Sequence, residues 1–326
     1  MPFAAFAVVT LVVTGPRPVV DTLPYRTEEV SYTSAGLTLH ASLMLPPGPG
    51  PRAAVVILHG SGKSDRSNPW TKAYADALAR RGVIVLYPDK RGSGTSAGDW
   101  RTASIEDLAA DGSAALALLR KRPEVDTTRT GVIGFSQGGY VAAVLAAQDS
   151  SCRYAISISG GTASMLQQTV DEAESDAGAA GLTLTAAERA GLLRLHQVAF
   201  DRALGKVSWS RYQAGIADQL RATPRLRPVT ETFPADSLHP IWGWIGRVGS
   251  FDPMTYWERV RRPALFIYGG KDARVRVDQS IDRITATRAP IATSAVILRF
   301  QGNAHALFRE DELDFIARWI ADRGAN

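Results

Sequence analysis

Hydrophobic and polar positions along this chain repeat with two different periods, and the switches between them mark out its elements. Residues 29–34 and 37–45 read as strands joined by the turn pair Ala35-Gly36. Leu37, Leu39, Ala41, Leu43 and Leu45 fall on one side of the alternation, as a half-buried strand requires. Residues 53–58 and 83–87 are unbroken apolar runs, the pattern of parallel strands covered on both faces. Residues 130–135 and 154–159 complete the first set of strands. Helical spacing fills the gaps at 69–81, 104–120 and 138–148. Gly82 stops the first of these helices. In the second, Ile105, Leu108, Ala109, Gly112, Ala115, Leu116 and Leu119 share one face, behind a Ser104/Asp107 capping pair.

Between residues 160 and 251 no strand pattern occurs. Helices are predicted at 165–174, 185–204 and 209–221, with Thr185 and Glu188 as another capping pair. The alternation resumes with strands at 263–268 and 295–300 and helices at 278–288 and 310–322. The prediction is an α/β fold with a doubly wound, mostly parallel sheet and a helical cap insertion. The sheet domain comprises residues 26–160 and 252–326, the cap 161–251, and an apolar segment 1–25 precedes them.

Composition narrows the class. The chain has 326 residues, 45% hydrophobic and 21% charged, which suits a soluble globular protein. Its net charge is +5, but the arginines are scattered, and short groups such as Arg259, Arg261 and Arg262 are interleaved with apolar residues. A basic stripe with stacking aromatics is missing, so no nucleic-acid partner is expected. The single cysteine, Cys152, permits no intrachain disulfide and reads as a structural thiol. Residues 3–13 form an apolar run of signal-peptide length, too short to span a bilayer and without a basic leader or a clean cleavage site. Two readings stand: an export signal on a periplasmic or extracellular protein, or a segment packed on the domain of a cytoplasmic one. No stable membrane span is expected, and oligomeric state is not legible.

The densest chemistry lies at Gly134-Phe135-Ser136-Gln137-Gly138, between a predicted strand and a predicted helix. A serine there sits on a sharp turn at the carboxyl edge of the sheet, with a helix N-terminus behind it. A serine hydroxyl needs a base. Of His40, His59, His196, His239 and His305, only His59 and His305 follow strands directly, and His305, between the last strand and the last helix, is the predicted base. Asp272, in Gly269-Gly270-Lys271-Asp272 after the strand at 263–268, is the predicted acid; Asp252, Glu258 and Asp278 are less directly placed. No metal-ligand spacing and no dinucleotide glycine motif is present, so no metal and no cofactor are expected.

The motifs His59-Gly60-Ser61-Gly62, Asp89-Lys90-Arg91-Gly92-Ser93-Gly94-Thr95-Ser96, Gly134 to Gly139, Gly269 to Asp272 and Asn303-Ala304-His305 together resemble the α/β-hydrolase fold serine hydrolases, in particular bacterial esterases and dienelactone-hydrolase-like proteins. The resemblance runs from about residue 55 to the C-terminus, leaving out the insertion. It implies a Ser136–His305–Asp272 triad, with the backbone N–H groups of Ser61 and Gln137 as oxyanion donors. It gives Asp89, Lys90 and Arg91 a structural, loop-tying role and makes His59 a loop-structuring residue. The expected activity is a carboxylesterase acting on small to medium acyl esters. A serine peptidase or acyl thioesterase with the same triad is the alternative, and a non-catalytic binding protein of this fold is disfavoured by the filled triad. Lys63 to Arg66 reads as a solvated loop or as a contact for a charged substrate group. Trp209, Trp242 and Trp244 in the insertion are candidate substrate-binding residues, with packing of the cap itself as the other reading.

Overall fold

A computed structural model describes residues 24–230 and 233–324. The apolar run at 3–13 lies outside them. Eight strands form one sheet: β1 (Arg26–Ser34), β2 (Leu37–Leu45), β3 (Arg52–Leu58), β4 (Ile84–Pro88), β5 (Val125–Phe135), β6 (Tyr154–Ile158), β7 (Ala264–Gly269) and β8 (Ala295–Phe300). Their spatial order is β1-β2-β4-β3-β5-β6-β7-β8. β1 with β2 and β2 with β4 are antiparallel, and every other neighbouring pair is parallel.

The helices are α1 (Pro69–Arg80), α2 (Ile105–Leu119), α3 (Gln137–Gln148), α4 (Met165–Ala179), α5 (Ala186–Ala203), α6 (Trp209–Ala222), α7 (Arg227–Thr230), α8 (Ile241–Val248), α9 (Met254–Trp257), α10 (Val277–Ala286), α11 (Ile291–Ser294) and α12 (Glu310–Ala321). None of the helices among the described residues is long and apolar enough to cross a membrane. The unbroken apolar run of β3 is explained by burial on both faces. Ala54, Val56 and Leu58 join the core beneath α2 and α3, with Leu116, Val141 and Leu145. Val55 and Ile57 join the opposite core beneath α1 and α12, with Tyr74, Leu78, Leu313 and Ile316. Both predicted capping boxes are formed, at Ser104 and at Thr185.

Register sets where the loops emerge. Leu58 pairs with Gly134, Phe135 with Ile158, and Gly269 with Phe300, so the parallel strands deliver their following loops to one edge of the sheet. β3 lies between β4 and β5, so the chain's winding direction reverses there, and the crevice at such a reversal is where open α/β sheets bind ligands.

Helices α4 to α8 lie between β6 and β7 in the chain. Where the insertion leaves and rejoins the sheet, Met165 N–H donates to the Phe251 carbonyl at 2.9 Å, and Arg283 pairs with Asp252 at 2.9 Å. The insertion has its own apolar centre of Val170, Leu184, Leu192, Leu195 and Leu226. The sequence pattern misses the short helices α7, α8, α9 and α11. The longest, α8, is an eight-residue stretch rich in Trp and Gly, too short to display a period. It also begins β5 five residues late, because the strand opens on the polar Asp126-Thr127-Thr128-Arg129, which carries no apolar alternation.

Close packing across the sheet depends on Gly131. Tyr154 on β6 reaches over β5 to donate from its hydroxyl to the Ala54 carbonyl on β3 at 2.7 Å. A Cβ on Gly131 would lie 2.3 Å from the Tyr154 carbonyl oxygen and 2.5 Å from its ring. Gly131→Ala is therefore expected to destabilise the protein by about 1–3 kcal/mol. Urea unfolding measures this, and an unchanged midpoint and slope would contradict the packing described.

Candidate active site

β5 ends at Phe135, and Ser136 turns the chain into α3 with φ of 52° and ψ of −117°. A serine in this left-handed region carries about 1–3 kcal/mol of strain, so its surroundings must hold it there. The Ser136 N–H donates to the Ile158 carbonyl at 2.9 Å, and the Gly139 N–H closes the turn on the Ser136 carbonyl at 2.8 Å. Both motif glycines are sterically required. A Cβ on Gly134 would lie 1.9 Å from the Gly138 oxygen, and one on Gly138 would lie 2.3 Å from the Leu58 oxygen. The turn is thus tight against itself and against the end of β3. The first N–H groups of α3 point toward the site, where they favour developing negative charge.

His305 and Asp272 come from the loops after β8 and β7. His305 Nε2 is 3.0 Å from Ser136 Oγ, and His305 Nδ1 is 2.8 Å from Asp272 Oδ2. A carboxylate only accepts, so Nδ1 carries the proton and Nε2 is free to accept from the serine hydroxyl. The Asp272 side chain is buried, and its other oxygen accepts from the N–H groups of Arg274 at 2.8 Å and Val275 at 3.0 Å. The two loops are tied by Gly270 N–H to the Phe300 carbonyl and Lys271 N–H to the Asn303 carbonyl, both 2.8 Å. A Cβ on Gly269 would come within 2.3 Å of the Ala304 oxygen, so the glycines of this motif permit the approach of acid and base. The rival acids are engaged elsewhere: Asp252 with Arg283, Asp278 with Arg299, and Glu258 with Thr287.

Several residues that support this line carried no sequence signal, because each acts through a partner far away in the chain. Ser159, itself at a φ of 51°, donates from Oγ to the His305 carbonyl at 2.6 Å. Trp70 packs its ring 5.7 Å from the imidazole and donates from Nε1 to the Leu307 carbonyl at 2.9 Å. Tyr74 Oη lies 3.0 Å from that same carbonyl and 2.5 Å from Glu312 Oε1. Tyr74 has one proton to give. That hydroxyl is shared between the Leu307 carbonyl and the fully buried Glu312 carboxyl, which burial pushes up to about 8. The base is thus fixed from its backbone as well as its ring.

His59 is structural. Its Nε2 donates to the Pro88 carbonyl at 2.7 Å and its Nδ1 accepts from Ser64 Oγ at 2.9 Å, while burial holds its pKa down to about 4. A neutral ring with both nitrogens engaged braces the loop after β3 but has no free nitrogen to act as a base. Ser61, in that loop, is exposed, and Gln137 opens α3 directly after the nucleophile. The Gly60 α-carbon adjoins the elbow: a Cβ there would lie 3.5 Å from Ser136 Cβ. Burial opposes ionisation of Asp89, but bonds from Arg66 and from the Thr95 N–H outweigh it and hold the carboxyl down to about 2. Arg91 clasps Asp111 through two bonds of 2.6 and 2.7 Å. Arg66, offered by the sequence as a contact for a charged substrate, is thereby taken up in a structural pair.

The three insertion tryptophans separate. A cavity of about 850 Å³ in the insertion is walled by Phe200, Phe233, Trp242, Trp244 and Ile245, with His196 among them. Ser136, Asp272 and His305 are not among its lining residues. Trp209 is not either: it lines a separate depression. The Trp209 ring packs with Tyr212 and Trp242 at 4.9 and 6.0 Å, within the packing that joins the insertion's helices.

The sequence profile of the X-Pro dipeptidyl-peptidases (S15 family) matches residues 35–303. Esterase EstD of Thermotoga maritima is 34% identical over 121 residues, a stretch covering 35% of this chain and 28% of that protein, so the match spans under a third of the curated relative's length. The esterase Pf2001 of Pyrococcus furiosus superposes with a TM-score of 0.58 at 16% identity, covering 97% of this chain and 98% of the other. Protein PA2218 of Pseudomonas aeruginosa gives 0.60 at 23%, covering 97% and 99%. These structural likenesses establish the α/β-hydrolase fold. The profile match covers most of the chain, from residue 35 to residue 303, and the protein belongs to the X-Pro dipeptidyl-peptidase (S15) family.

Proposed function

We propose that this protein is a serine hydrolase that cleaves small to medium carboxylic esters through an acyl-enzyme on Ser136. The observation that carries the reading is the continuous line from Asp272 through His305 to Ser136, with contacts of 2.8 and 3.0 Å. Ser136 Oγ attacks the ester carbonyl as His305 Nε2 takes its proton, and Asp272 stabilises the imidazolium. The carbonyl oxygen becomes an oxyanion facing the Ser61 and Gln137 N–H groups, donors of the kind whose loss costs about 3 kcal/mol each. Collapse breaks the bond to the alkoxy group, which leaves as alcohol with the proton from His305. Water, deprotonated by His305, then attacks the acyl-enzyme and releases the acid and a free Ser136.

The apolar cavity of the insertion supports a substrate with a hydrophobic acyl or alcohol part, since such walls suit groups of that kind. The family match favours a second reading, a peptidase acting after proline, which would use the same triad on an amide. Initial rates on p-nitrophenyl esters, acyl thioesters and X-Pro p-nitroanilides separate these activities. The ester reading expects the largest kcat/KM on the esters, and a preference for the anilides would replace it.

Ser136→Ala is expected to lose all but background turnover and all labelling by a fluorophosphonate, seen by intact mass. Retained activity would sink the hydrolase reading. Asp272→Asn leaves the nucleophile in place but supplies an N–H donor where His305 needs an acceptor, so kcat should fall by about 10⁴-fold; a loss below tenfold would remove Asp272 from the triad. For the cavity, Trp244→Ala should raise KM for long-chain esters by roughly tenfold while leaving acetate esters within about twofold, in line with a lost contact of about 1–3 kcal/mol. Equal effects on both chain lengths would detach the cavity from the substrate.

A further inference from the structure

Lys90 follows β4 and carries its ammonium inside the protein, only 8% exposed. Nζ donates to the Gly60 carbonyl at 2.9 Å, the Gly62 carbonyl at 3.1 Å and Gln137 Oε1 at 3.1 Å, with the Trp100 ring 5.8 Å away. All three acceptors are neutral. The neighbouring carboxylate, Asp89, is turned to Arg66 and Thr95. A buried cation held only by neutral groups is expensive for the fold, and burial accordingly pulls this amine down to about 8. Charges kept at such a cost cluster at working sites.

Peptide geometry shows what the charge does. The Gly60 carbonyl and the Ser61 N–H belong to one planar trans peptide, so they point in opposite directions. Holding that carbonyl on Nζ directs the Ser61 N–H away from the lysine, in a loop whose Gly60 α-carbon adjoins Ser136. A strong hydrogen bond on the carbonyl also polarises the peptide and makes its N–H a better donor. The bond to Gln137 Oε1 restrains the residue that supplies the other N–H.

We propose that Lys90 is a positioning residue that orients and strengthens the oxyanion donors of Ser61 and Gln137 by binding the oxyanion loop and the Gln137 side chain from behind. This rests on the serine hydrolase reading above and adds to it a requirement for a charge that never touches substrate. The groups facing Nζ are the neutral His59 from the end of β3, Gln137 from α3 and the Trp100 ring, while Asp89 and Arg91 beside it are bonded to Arg66 and Asp111. Loss of the Lys90 proton therefore removes the local positive charge and one of three donated bonds.

The test is the pH dependence of kcat and KM on p-nitrophenyl butyrate from pH 6 to 10, for the wild type, Lys90→Met and Ser136→Ala. The wild-type kcat is expected to fall on the alkaline side with an apparent pKa near 8. Lys90→Met should lower kcat about 100-fold at pH 7, the loss typical of one oxyanion donor, with KM within about threefold. It should lack the alkaline fall and still take one fluorophosphonate per chain, at a slower rate. A Lys90→Met enzyme with wild-type kcat, or one altered in KM alone, overturns the proposal. So does a wild-type kcat that stays flat from pH 7 to 10, a result that needs no variant to fold. An inactive Ser136→Ala beside an unaffected Lys90→Met rejects the Lys90 role alone, whereas an active Ser136→Ala rejects both readings.

Discussion

Everything in this site depends on one strained residue being held still. Ser136 occupies a backbone conformation that serine disfavours, and the bonds from its own N–H to β6 and from Gly139 to its carbonyl keep it there. The strain projects the hydroxyl beyond the sheet edge, toward His305. The same tight turn removes room for side chains around it, which is why glycines stand at 134, 138 and 60, each against backbone or against the serine itself. Relaxing the turn would move Oγ away from Nε2, and a displacement of about 1 Å at a reacting atom can cost about 100-fold in rate.

The second constraint is that base and acid arrive on separate loops. Parallel register brings the ends of β7 and β8 side by side, and paired backbone hydrogen bonds lock the two loops together. His305 is then held from four directions: Asp272 at Nδ1, Ser136 at Nε2, Ser159 at its carbonyl and the Trp70 ring against its face. The opposite wall is built from buried charge. Asp89 with Arg66, and Arg91 with Asp111, tie the loops after β3 and β4 to the body of the fold, and Lys90 between them reaches the Gly60 and Gly62 carbonyls of the loop after β3.

Much of this was legible in the sequence. Apolar runs and helical spacing located all eight strands and the long helices, because burial on two faces and on one face leave different periods. Ser136, Asp272 and His305 could be read because each follows a strand within a glycine-containing turn. What could not be read depends on contacts between distant parts of the chain. Ser159 looks like the last residue of a strand, and Tyr74 and Glu312 look like ordinary members of amphipathic helices. Lys90 is one residue of a charged trio, and only the fold shows that its neighbours are paired while it is not. In the insertion, composition shows aromatic wealth but not arrangement, so Trp209 could not be told from Trp242 and Trp244.

Ester hydrolysis by this site turns on the acylation of Ser136 during turnover. Rapid-quench mass spectrometry with a p-nitrophenyl ester tests it most directly. The prediction is a transient mass gain of one acyl group per chain, mapped to the peptide containing Ser136 and formed in step with a burst of p-nitrophenol. Turnover at the same rate with no acylated chain, or with the acyl group on another residue, would contradict it.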